Sequence, residues 1–246
     1  MTEKSSSKNH SLLFIIGIFI LFIIIIGVII IFFQPVSENG VIKTFNYTLR
    51  GEQGTISLDL DSNVYNNFLF FTECPMLYCN VTGQCTNTEE AQYYLKFINE
   101  PNQTRYLDNL INSIKSKTSY QDDQARIAIS LVQNIPYGGK PNITSYDNNT
   151  RFPYEVLYDD RGQCLEKSLL LAYLLRGLGY GVVLFQYPVQ NHMAVGIKSP
   201  AEYANDNTGY AFVETTIPSI VTDDQEYYGD VGKLTGNPVV YKISAL

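Results

Sequence analysis

Tryptophan is absent from the 246 residues, so no indole N–H is available as a hydrogen-bond donor at any site. Histidine is almost as rare: His10 and His192 are the only two. Imidazole chemistry beyond the N-terminal border therefore falls on His192. Positive charge is short, with 17 Lys and Arg against 24 Asp and Glu and a formal net charge of −7. A chain without a basic footprint is not built for nucleic acid. Long apolar runs are missing too, with one exception at residues 12–33. Cysteine occurs four times; Cys74, Cys79 and Cys85 crowd together, and Cys164 stands alone.

The exception, "LLFIIGIFILFIIIIGVIIIFF", carries no charge and predicts about 33 Å of helix, against a bilayer core of about 30 Å. It ends in "FFQPVSENG", without the small-residue site that a cleaved signal would show. The expectation is a single uncleaved transmembrane anchor. Lys4 and Lys8 outweigh Glu3 in the tail before it, which by the positive-inside rule leaves residues 1–11 cytoplasmic and the rest outside the membrane. Asn-x-Ser/Thr triplets at Asn46, Asn80, Asn102, Asn142 and Asn148 suit an exported, glycosylated surface. The expected organisation is a cytoplasmic tail at 1–11 and the anchor at 12–33. An N-terminal part of the ectodomain at 34–119, with strands, a Cys-rich loop and helices, then leads to a catalytic core at 120–246.

Beyond the anchor, "VIKTFNYTL" and "TISLDL" alternate and are separated by "RGEQG", which predicts a hairpin. "NNFLFF" either extends the sheet or starts a helix, and the Cys-rich stretch after it reads as a loop. Apolar residues from Tyr93 to Ile114 recur at three- and four-residue steps, broken by "NEPNQ", which predicts two helices. "YQDDQARIAISLVQNIPYGG" predicts a helix stopped before Pro136. "KPNITSYDNNTRFPYEV" reads as a polar loop. A helix follows from about Gln163 to Gly177, then strands "GVVLFQYP", "HMAVGIK" and "YAFVETT". Helix, strand, strand, strand implies an α+β fold with the helix packed on an antiparallel sheet.

Cys164 falls at the start of that helix, His192 at the start of the second strand, and Glu214 in the third beside Phe212. A thiol attacks well only as thiolate, and a helix N-terminus favours that form through its unpaired N–H groups and positive dipole. Histidine can take the proton, and a carboxylate can orient the imidazole through its other nitrogen. Topology would bring all three to one edge of the helix–sheet junction. Glu166, two residues past Cys164, sits well at the positive end of the helix without any catalytic part.

The run from Tyr120 to Pro218 resembles the transglutaminase-like family of the papain-like cysteine superfamily. The elements that carry the resemblance are "NIPY", "RFPYEVL", "RGQCLEKSLLLAYLLRGLGYGVVL", "NHMAVGI" and "YAFVETT". It implies a papain/transglutaminase-like core with Cys164 as nucleophile, His192 as base and Glu214 as the orienting acid. It further implies acyl transfer or hydrolysis at amide or peptide bonds, without metal or organic cofactor, on a peptide, a protein or a cell-envelope polymer. Some members use a Trp indole as an oxyanion donor, and this chain has none. The backbone N–H of Cys164 remains as one donor, with Gln163, Tyr137 or a further backbone group as the second. The acid is Glu where many members have Asp.

The clustered cysteines allow one disulfide and one leftover thiol in an exported domain. A zinc site made by them with His192 has acceptable ligand types, but the C-x4-C-x5-C spacing is not a familiar metal signature. A disulfide at Cys164 would end the enzymatic expectation. The alternative of another class is a non-catalytic transglutaminase-like binding or scaffolding domain on the cell surface.

Overall fold

A two-residue turn sets the first element described. In the computed structural model, which describes residues 39–69, 85–139, 150–219, 227–228 and 232–243, Arg50 (φ 51°) and Gly51 (φ 87°) are both left-handed. Two such residues in succession make the type I′ turn whose twist matches paired strands. They close β1 (Gly40–Leu49) on β2 (Glu52–Asp61) with Leu49 opposite Glu52. The turn is thus shorter than "RGEQG" suggested. Along β2, Ile56, Leu58 and Leu60 point into the core while Ser57 and Asp59 face water, the period of two that a half-buried strand requires. Asn46 and Asn102 are both exposed. The other three Asn-x-Ser/Thr triplets, the anchor at 12–33, Cys74 and Cys79 lie outside the described residues. Among the described residues, no helix is long and apolar enough to cross a membrane.

The "NNFLFF" ambiguity resolves into a helix, α1 (Ser62–Leu69). Next come α2 (Asn87–Ile98) and α3 (Pro101–Lys117). Thr86 and Glu89 form a reciprocal cap on α2, with Thr86 N donating to Glu89 Oε2 at 2.7 Å and Glu89 N to Thr86 Oγ1 at 3.3 Å. Pro101 opens α3 where its missing N–H costs nothing. α4 (Gln121–Asn134) buries Ile127, Leu131 and Val132 and stops at Ile135, before Pro136. It packs against β1, where Thr48 N donates to Ser130 Oγ at 2.8 Å.

The expected polar loop is cut short by α5 (Pro153–Asp159). Here the structure corrects the sequence: Pro153 starts the helix, and Glu155 caps it by accepting from Phe152 N at 2.9 Å. Tyr154, Val156 and Leu157 are fully buried. α6 (Cys164–Gly177) is the centre of the fold, with every residue from Leu169 to Leu175 buried. A helix that is apolar all round belongs in a core, and α2 to α5 together with the sheet surround it. Gly179 (φ +93°) ends it, with Tyr180 N reaching back to Leu175 O at 3.1 Å.

Four antiparallel strands follow in the order β5-β4-β3-β8: β3 (Val182–Tyr187), β4 (His192–Lys198), β5 (Tyr210–Val213) and β8 (Val239–Ile243). Two short strands, β6 (Tyr227–Tyr228) and β7 (Gly232–Lys233), pair separately. One face of the large sheet carries Leu184, Met193, Val195 and Val213 into the main core. The other carries Val183, Phe185, Ala194 and Phe212 into a smaller apolar cluster. The fold is α+β, as expected, and the described residues form one compact unit. β8 was not anticipated; it completes the sheet beside β3.

Candidate active site

The helix α6 begins in a pinned turn. Gln163 is the N-cap in extended backbone, and its N–H donates to Glu166 Oε2 at 2.8 Å. Cys164 is therefore the first helical residue, and its own N–H is among those a helix leaves without an internal partner. The segment after α4 runs alongside: Gly162 N donates to Pro136 O at 3.1 Å, and Gly138 N to Gly162 O at 3.2 Å. Cys164 is a free thiol and is partly exposed.

His192 opens β4 and is buried. Its Nε2 lies 2.8 Å from Glu214 Oε2. Cys164 acts on the same ring, and with Nε2 committed to Glu214 the nitrogen left for sulfur is Nδ1. Burial alone would push the imidazole down. The hydrogen bonds and charges of Cys164 and Glu214 on either side outweigh it and raise His192 to about 9. At neutral pH the ring is therefore protonated.

Glu214 departs from expectation in an instructive way. β5 ends at Val213, so Glu214 leaves the strand rather than sharing a face with Phe212. The physical reason is its own carboxylate. Oε1 accepts from Thr215 N at 2.9 Å, Thr216 N at 2.7 Å and Thr216 Oγ1 at 2.6 Å, curling the backbone out of the ladder. Oε2 is left for His192. The group is fully buried, yet all its acceptors are used, which removes the penalty of an unpaired buried charge. Burial pushes its pKa up, while His192 and Thr216 pull harder and hold it below the usual carboxylate range.

The structure bonds His192 to Glu214 and brings Cys164 within electrostatic reach of the same ring. It also shows residues that pattern-reading missed. Arg151, buried at 1% exposure, holds both oxygens of Glu166 and reaches Asp159 Oδ2 at 2.9 Å and Gly138 O at 2.9 Å. Glu166 is thus fully engaged by Arg151 and the Gln163 N–H, the structural role its placement suggested. Lys167 is wholly buried, and Gln133 reaches Glu214 O at 2.9 Å. The only signals in the sequence were Arg151 inside "RFPYEVL" and Lys167 one helical turn after Cys164. Tyr137 and Gln163, considered as oxyanion donors, are exposed beside this turn.

The zinc alternative fails on its ligands. Cys85 is disulfide-bonded, and His192 Nε2 is held by Glu214. Among the described residues, no group of three or more His, Cys, Asp or Glu is placed to hold a metal ion. A cavity of about 610 Å³ lies elsewhere, between Thr48, Arg126, Tyr180 and Pro218, and includes none of the three residues.

No protein-family model matches this chain, and no curated protein matches it either. Solved structures do resemble it loosely. LapG of Legionella pneumophila in its calcium-bound form has a TM-score of 0.36 and 15% identity, over 65% of this chain and 82% of that one. A provisionally assigned protease from Parabacteroides distasonis has a TM-score of 0.38 and 13% identity, over 74% of this chain and 40% of that one. A provisionally assigned cysteine protease from Cytophaga hutchinsonii has a TM-score of 0.32 and 10% identity, over 82% and 74%. With TM-scores below 0.5, none of these likenesses decides what this chain does; the geometry around Cys164 has to carry that.

Proposed function

We propose that this protein is a cysteine hydrolase acting on amide or peptide bonds, with Cys164 as nucleophile, His192 as acid and base and Glu214 as the group that orients it. The single observation behind this is the buried His192–Glu214 pair, with Cys164, a free and partly exposed cysteine at the start of α6, acting on the same imidazole. The Cys164 sulfur adds to the carbonyl carbon, and the electron pair moves onto oxygen beside the helix N-terminus, where the Cys164 N–H can donate to it. The His192 proton passes to the nitrogen of the leaving amine as the C–N bond breaks, leaving a thioester. Water then adds to the thioester while His192 accepts its proton. Collapse releases the acid and returns the sulfur and the protonated imidazole. An amine in place of water would give transamidation. Water is the commoner acceptor around a partly exposed thiol, and hydrolysis is the favoured outcome.

Residues 12–33 would tether this domain to a membrane, with residues 34–246 on the far side. Support comes from the disulfide at Cys85, since such bonds persist outside the reducing cytosol. The exposed glycosylation triplets at Asn46 and Asn102 agree with that side. The test of the chemistry is alkylation of the full chain in detergent with iodoacetamide at pH 6, mapped by mass spectrometry. Cys164 should react at least tenfold faster in the native chain than in the denatured one, because an ordinary thiol of pKa about 8.5 carries very little thiolate at pH 6. His192→Ala should abolish the difference. Equal rates in native and denatured wild type would sink the proposal.

A further inference from the structure

Lysine is the residue least expected in a core, because its charged form must leave water. Lys167 is nonetheless fully buried, one helical turn after Cys164. Its Nζ donates to three main-chain carbonyls: Ile135 O at 2.6 Å, Thr216 O at 3.2 Å and Gln133 O at 3.3 Å. An ammonium has three protons to give, and all three are used. The carbonyls come from separate places: Gln133 and Ile135 end α4, and Thr216 closes the turn that Glu214 begins. Ser168, the next residue, adds to the same knot, with Oγ donating to Met193 O at 3.2 Å and lying 3.1 Å from Thr215 Oγ1. Thr216 is also the residue whose N–H and hydroxyl fix Glu214 Oε1.

We propose that Lys167 is a positioning residue for the site: its ammonium clamps the Glu214–Thr216 turn to the nucleophile helix, and so sets where Glu214 meets His192. The inference rests on the hydrolase proposal for its catalytic meaning, and on geometry alone for the clamp. β5 ends at Val213, so no ladder holds the turn that carries Glu214. Lys167 and the Gln133 amide supply the hold instead. A lysine serves better than a neutral donor because one small group must answer three carbonyls converging from two segments. Glu214 is the charged group that acts on it, and His192 stands on the far side of that carboxylate. α4 presents it with main-chain carbonyls. Burial pulls Lys167 down to about 8 against the opposing charge of Glu214, so at neutral pH the ammonium form prevails.

The test is Lys167→Met in the full chain, read by NMR of the histidine Cε1–H resonances. Only His10 and His192 contribute, and His10 serves as the internal reference. With the clamp gone, Glu214 drifts from Nε2. Between about pH 6 and 7.5, where wild-type Lys167 is still an ammonium and wild-type His192 stays protonated, the variant's His192 should titrate, its midpoint falling from about 9 toward the ordinary value near 6.5. Native dispersion of the remaining spectrum shows that the fold persists. If Lys167→Met does not fold, Lys167→Gln, which keeps a donor without the charge, is titrated in its place with the same expectation. A His192 midpoint that stays put or rises in a folded variant overturns the proposal. This titration needs no substrate, so it can succeed or fail independently of whether Cys164 proves reactive.

Discussion

Changing Glu214 to Gln removes one charge and no volume, and the structure dictates which way the amide must turn. Three donors converge on Oε1: Thr215 N, Thr216 N and Thr216 Oγ1. An amide nitrogen cannot accept from them, so the Gln oxygen must occupy that side and the NH2 must face His192. The ring then has to accept at Nε2, which places its remaining proton on Nδ1, toward Cys164. That is the tautomer unable to take a proton from sulfur, the logic by which an Asp-to-Asn change in a serine triad costs about four orders of magnitude. The electrostatic loss can be sized as well. His192 stands about 2.5 units above the ordinary value near 6.5, a preference for the cation on the order of 3 kcal/mol supplied jointly by Cys164 and Glu214 against burial. Without the carboxylate, the His192 midpoint in Glu214→Gln should fall toward the ordinary value near 6.5. Amide hydrolysis should drop by about three orders of magnitude. Alkylation of Cys164 at pH 7 should slow by a much smaller factor, at most about thirtyfold, since an ordinary thiol is still a few per cent thiolate there. Histidine NMR and iodoacetamide kinetics measure the two effects on one sample. A midpoint still near 9 in this variant would refute the reasoning, because it would mean that Glu214 does not hold the proton on the ring.

Other outcomes follow from the same geometry. Arg151→Met leaves Glu166 and Asp159 buried without their cation, and should destabilise the chain by about 3–5 kcal/mol in chemical denaturation. The folded pKa of His192 is raised, so its contribution to stability is fully present below about pH 6.5 and is lost as pH rises through about 9. For Lys167 the folded pKa is lowered, so burying its cation costs stability below about pH 8, and that cost is relieved as pH climbs toward 10.5. Stability measured by urea denaturation should therefore decline from pH 6.5 to about 8 and then level off; His192→Ala should remove the decline, and a decline that survives that change would contradict the assignment.

How far the sequence could be read depended on what kind of signal each element leaves. The hairpin, the helices around Phe97, Leu110 and Ile127, and the helix that Cys164 opens all rest on periodic apolar residues, caps and turn residues, which are local and legible. α5 was missed because its sequence, "PYEVLYD", follows a polar stretch and is too short to show a period; only burial of Tyr154, Val156 and Leu157 makes it a helix. β8 was missed because five residues near the chain end gain strand character only from their pairing with β3. Glu214 was found as a residue but misplaced as a strand position, because alternation cannot foresee a side chain that captures its own backbone. Lys167 and Arg151 were passed over because a charged residue in a one-dimensional pattern reads as surface. Their partners, Thr216 and Gly138 among them, are distant in sequence.

What the sequence alone determined is the inventory: a single histidine beyond the N-terminal border, a solitary cysteine at a helix start, no indole, and an α+β order of elements. Scarcity did that work, since two histidines and one isolated thiol leave few combinations to weigh. What only the tertiary structure decided is the wiring: that His192 Nε2 meets Glu214, that Glu166 belongs to Arg151, and that the buried Lys167 ties Thr216 and the end of α4 to α6. The reason is physical. A buried charge is tolerated only where several distant groups converge on it, and convergence is a property of three dimensions.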